Sequence, residues 1–218
     1  MTQPVISNKT RLFEIFAVLL TAAGKFIFMD LSEWRIIFIA SVISFWTIYI
    51  YYKNKRSPHI TRYWGFRTDN FKKVILTILP FGIATLIICI IIGFYLGTIQ
   101  ITWHIIPLLV LYPIWGTIQQ FLVIGLVAGN LKDFEGQHFK KGFIIVICAL
   151  LFGGIHYPYL WLVAGTFALA IFYGFIYLKE KNIYALGIFH GWLGAVFFYT
   201  IVDRDPFIET FGRLFYLK

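Results

Sequence analysis

The stretch Ile118-Gln-Gln-Phe-Leu-Val-Ile-Gly-Leu-Val-Ala-Gly129 sets two adjacent primary amides, Gln119 and Gln120, in the middle of a long apolar run. An amide buried in hydrocarbon without a partner costs about 2–7 kcal/mol, depending on the reference state. Two such groups side by side need partners or a task. The rest of the chain fixes the medium around them. Its 218 residues are 60% hydrophobic and only 13% charged, with a mean hydropathy of +0.79. Soluble domains run near 25% charged residues. The chain therefore reads as an all-α, polytopic membrane protein rather than a soluble helical one. Cys89 and Cys148 lie inside apolar segments, with neither metal nor disulfide spacing, and read as small buried hydrophobes.

A helix needs about 20 mostly apolar residues to cross a bilayer. Seven candidates follow, at 12–30, 34–52, 74–97, 104–130, 142–158, 160–178 and 183–202. The first resembles a signal peptide, with Lys9 and Arg11 ahead of apolar residues. Glu14 and Lys25 interrupt it and another apolar run follows at once, so a first transmembrane helix is expected. Both charges can reach the interface by snorkelling. Pro158 marks a tight turn between the fifth and sixth spans, and Pro80 with Gly82 a kink in the third. Residues 1–60 form an N-terminal helix pair, 61–203 a helical domain whose last four spans hold the site, and 204–218 a tail. No internal repeat or separable soluble domain is present.

The basic residues set the orientation. Lys9, Arg11, the cluster from Lys53 to Lys73, Lys132, Lys140, Lys141, Lys179 and Lys181 fall on one side. Arg35, Arg204, Arg213 and Lys218 fall on the other. The chain is thus expected as a multi-pass protein of the cytoplasmic membrane with its N-terminus inside. The net charge of +9 is mostly this asymmetry and gives no reason to expect nucleic acid. The loop from Tyr51 to Lys73 serves as a topology determinant or as an anionic-lipid contact, the latter worth about 1 kcal/mol per basic residue.

Polar groups inside the membrane are functional candidates. They are Gln119 and Gln120 in the fourth span, His156 near the end of the fifth and His190 in the seventh, with His104 at an interface. Singly, each reads as interhelical glue; together they point to one interior site. Gly125 with Gly129, and Gly187 with Gly191, are small-residue faces suited to close helix approach. Depth is the difficulty. At 1.5 Å per residue, His190 lies about 10 Å from the inner end of its span, Gln119 about 16 Å and His156 about 21 Å. A shared site requires tilt or a longer inner extension of the fifth helix.

These segments, in this order, resemble the CPBP family of intramembrane proteases, which includes the type II CAAX prenyl endopeptidases and bacterial relatives linked to bacteriocin immunity and peptide processing. The family pattern is EExxxR, then FxxxH, then HxxxN or HxxxD. Here the first motif is Gln119-Gln120-Phe-Leu-Val-Ile124, the second is intact from Phe152 to His156, and the third runs from His190 to Gly194. The stretch Tyr63-Trp-Gly-Phe-Arg-Thr-Asp-Asn-Phe-Lys-Lys73 also looks like this family. The resemblance implies a CPBP-type bundle with His156, His190, Gln119 and Gln120 at the catalytic positions. It also implies Phe152, Gly194 and Trp115, with its neighbour Gly116, at substrate-binding ones.

By the same resemblance the two amides stand where a family member activates water with glutamate. A glutamine can orient water but cannot take its proton. Ile124 replaces the arginine, which would be an unpaired buried charge without the carboxylates. The site is thus neutralised as a unit. Two histidines and an amide oxygen make a poor zinc set, so no cofactor is expected and a divalent metal at His156 and His190 is disfavoured. Two functions stay open. One is an intramembrane endopeptidase acting on a membrane-embedded or lipidated peptide, with an imidazole as base. The other is an inactive relative that binds a peptide or membrane partner, in an immunity or chaperone-like role. The absence of repeats argues against a solute transporter.

Overall fold

A computed structural model describes residues 6–32 and 34–215; Lys218, counted above on the outer side, lies outside them. Helix α1 (Asn8–Lys25) is capped by the Ser7 side chain and continues as a π-helical segment, Phe26–Leu31. It is followed by α2 (Arg35–Arg56), the short α3 (Ile60–Trp64) and α4 (Phe71–Leu96), which runs unbroken through Pro80. The central rod comprises α5 (Ile105–Gln120), a π-helical stretch Phe121–Ala128 and α6 (Gly129–Lys132). Then come α7 (Lys141–Gly154), α8 (Leu160–Glu180), α9 (Ile183–Phe197) with its π-helical end Phe198–Val202, and α10 (Pro206–Phe215).

Among the described residues six helices are long and apolar enough to cross a membrane. The fifth of the seven expected spans, 142–158, is not among them: α7 has 14 residues, about 21 Å of rise, short of the ~30 Å hydrocarbon core. Hydropathy continues to Pro158, but the helix stops at Gly154 and the chain turns through His156 to Tyr159. The residues 204–218 were expected as a tail; Pro206–Phe215 is a helix.

The α5–α6 rod and α9 are the most buried elements, while α1, α2 and α4 expose most of their apolar side chains, as lipid-facing helices do. The centre is held by glycines. A Cβ on Gly187 would sit 2.4 Å from the Cα of Thr117, and one on Gly191 would sit 2.3 Å from the backbone nitrogen of Pro113. Hence α5 and α9 touch backbone to backbone. At the start of α9, Asn182 caps the helix by accepting from Ala185 N at 2.9 Å and donates to the Arg67 carbonyl at 2.9 Å, tying the basic loop to the bundle. Trp46, Trp64 and Phe121 form an aromatic wall between α2, α3 and the rod.

Glu14 does not snorkel. It is 1% exposed and accepts from Tyr49 Oη at 2.5 Å and from Asn130 Nδ2 at 2.7 Å. Asn130 Oδ1 accepts from Arg11 at 3.2 Å, and Arg11 also donates to Tyr63 Oη at 3.0 Å. Lys25 does reach its helix end, where it pairs with Asp30 at 2.6 Å.

Candidate functional site

Adjacent helical residues point about 100° apart and do not face each other, so only one of the two glutamines can share a given cavity. That one is Gln119. Its Oε1 lies 3.1 Å from His190 Nε2. An amide oxygen only accepts, so Nε2 carries the ring proton in this contact. Nδ1 keeps its lone pair and, buried, has no partner among the described residues. Gly116 makes the approach possible: a Cβ there would sit 2.8 Å from His190 Cδ2. Gln120 faces elsewhere. It is fully buried, and among the described residues neither amide atom has a partner.

His156 stands in the turn just past α7. Its Nδ1 lies 2.7 Å from the Phe152 carbonyl, which can only accept, so this nitrogen is the donor and Nε2 is the free base. The Phe152 ring packs against both imidazoles, 5.1 Å from His156 and 5.3 Å from His190. It is itself wholly buried and backs the two rings rather than lining the opening. The depth mismatch between the spans is thus resolved. His156, in the turn past α7, borders the same cavity as Gln119 and His190.

Gln119, His156 and His190 line one cavity of about 160 Å³, with Tyr112, Trp115 and Gly194 among its walls. A second, almost wholly apolar cavity of about 350 Å³ lies between α4, α8 and α9. His190, Gly194, Leu162 and Thr166 border both. The missing side chain at Gly194 keeps this border open, since a Cβ there would meet only Tyr112 Cδ2 at 4.0 Å.

The sequence reading missed the mouth of the cavity. Lys25, Asp30, Arg35, Arg204 and Glu209 line it. They come from the ends of α1, α2 and α9 and from α10, outside the last four spans. Arg35 and Arg204 had read only as topology signals. The available clue was Arg204 and Glu209 at a spacing of five around Pro206, where a helix starts.

Among the described residues no three His, Cys, Asp or Glu side chains are grouped to hold a metal ion. Ile124 is fully buried in apolar surroundings. What the site offers chemically is two imidazoles, each with one ring nitrogen free of hydrogen bonds among the described residues, one amide that can orient water, and a neighbouring apolar chamber.

Residues 100–196 match the family model for type II CAAX prenyl endopeptidase Rce1-like proteins. The match takes in the central rod and both histidines and spans a little less than half of the chain. No curated protein and no solved structure matches significantly.

Proposed function

We propose that this multi-pass membrane protein, similar over residues 100–196 to type II CAAX prenyl endopeptidases, holds a membrane-embedded or lipidated peptide in the cavity at His156 and His190. One observation carries the reading: the two imidazoles border a small cavity with charged side chains in its wall, and this cavity shares His190, Gly194, Leu162 and Thr166 with a larger apolar one. A peptide backbone suits the first and a hydrocarbon chain the second. With the N-terminus inside the cytoplasmic membrane, the charged mouth opens to the outer side.

Within that reading, cleavage uses His156 Nε2 as base, because His190 Nδ1 is closed off by burial. It takes a proton from a water oriented by Gln119 as the water oxygen bonds to the peptide carbonyl carbon. The C–N bond then breaks and the imidazolium returns the proton to the leaving amine. General-base work of this kind contributes about 10²–10⁴-fold. The competing reading, binding without cleavage, is favoured by the absence of a carboxylate at Gln119 and Gln120.

A cleavage assay on a lipidated C-terminal peptide separates the two. Cleavage by wild type but not by His156→Ala establishes the enzyme. Cleavage only after Gln119→Glu with Gln120→Glu establishes a binding protein whose cavity is intact. Binding is tested at Gly194. Gly194→Ala meets only open space and should leave both stability and peptide affinity near wild type. Gly194→Phe fills the border between the cavities and should abolish binding in a fluorescence-anisotropy titration. Retained binding in Gly194→Phe would place the peptide elsewhere.

A further inference from the structure

The outer mouth of the cavity is built around a carboxylate from the peripheral helix α10. Arg35 Nη1 donates to one oxygen of Glu209, and Arg204 Nε donates to the other. Both arginines stand at the ends of long helical elements, Arg35 as the first residue of α2 and Arg204 just past the π-helical end of α9. Arg204 also lies over the face of Tyr159, 4.1 Å from the ring centroid. Lys25 and Asp30 neutralise each other beside them, so two guanidinium groups face one internal carboxylate. All three side chains of this cluster are only a fifth to a quarter exposed.

The anchor of α10 is separate from Glu209. Asp205 caps the helix by accepting from Phe207 N at 2.9 Å and Ile208 N at 3.2 Å, and Phe207 packs with Leu108, Ala195 and Tyr199. Burial pushes the Asp205 carboxyl up, but hydrogen bonds from His104, Tyr199, Ile208 and Thr102 outweigh it and hold the pKa below the ordinary value. Glu209 is therefore free to leave the arginines without unfastening the helix.

We propose that Arg35 and Arg204 form a carboxylate-binding site that takes the free C-terminus of a peptide held in the cavity, and that Glu209 fills this site as an internal surrogate until displaced. The inference rests on the reading of the cavity as a peptide site. Guanidinium pairs match carboxylate geometry and bind it through charge-assisted hydrogen bonds. From His190 to Arg204 the helical rise is about 21 Å. An extended chain covers that distance in about six residues, so a C-terminus held at the mouth places a peptide bond about six residues upstream beside the imidazoles.

The test uses the full chain in detergent carrying Thr210→Cys, at the mouth beside Glu209, and reads the rate of maleimide labelling. N-lauroyl-glycine, which bears a free carboxylate, should raise the rate about tenfold as Glu209 is displaced, whereas N-lauroyl-glycinamide should not. Glu209→Gln should raise the rate with no additive, and Arg35→Gln should remove the response to the acid. Cys89 and Cys148 are buried, so labelling confined to position 210 certifies that each variant is folded. Equal effects of acid and amide, no effect of either, or an unchanged rate in Glu209→Gln would overturn the proposal. No cleavage is read, so a failed peptidase assay and a failed carboxylate site are told apart.

Discussion

Replacing Gly191 by alanine is expected to destabilise the bundle by about 3 kcal/mol, near the upper end of ordinary overpacking costs. The new Cβ would lie 2.3 Å from Pro113 N and 2.5 Å from the Tyr112 carbonyl carbon. Both are backbone atoms of α5, so no side chain can swing aside and the two helices must part. Gly187→Ala meets the Thr117 backbone in the same way. Parting α5 from α9 also pulls Gln119 away from His190. Thermal unfolding in detergent should show a large drop in Tm for Gly187→Ala and Gly191→Ala, and almost none for Gly194→Ala on the same helix. Equal Tm values across the three would disprove the backbone contact.

Glu14→Ala should cost about 3–5 kcal/mol, the range for breaking a buried charged network by removing one partner. It strands Tyr49 Oη and Asn130 Nδ2, and leaves Arg11, 5% exposed, linked to a carboxylate only through Tyr63, which donates to Asp133. The double change Arg11→Met with Glu14→Met removes both charges and should lose less than the sum of the two single changes, as apolar replacement of buried pairs does. A double-mutant cycle on unfolding free energies measures this. Strict additivity would mean that the two side chains do not share a network.

Hydropathy located every long helix because a lipid-facing span needs a continuous apolar run, and that requirement is local. It misjudged α7 because apolar residues continue past the point where Gly153, Gly154 and Pro158 end the helix. The convergence of Gln119, His156 and His190 was legible from motif order. That Gln120 would turn away follows from helix geometry and could have been read as well. Glu14 was misread because its partners, Tyr49 and Asn130, lie on other helices far along the chain. Viewed on its own helix, a lone carboxylate looks like a snorkelling one. The mouth escaped notice for a related reason. Arg35 and Arg204 look like membrane-end charges until α10 is folded back over them.

The short α7 has a consequence for the membrane itself. Phe143, Val146 and Leu150 are exposed along one face of this helix, so acyl chains must pack against a segment of only about 21 Å. A bilayer core about 9 Å taller than α7 has either to thin beside it or to cover the turn that follows it, at a cost of fractions of a kcal/mol per ångström. The strain is concentrated on the flank that carries His156, and it grows with acyl length. Thicker bilayers are therefore expected to press on the turn that positions one of the two imidazoles.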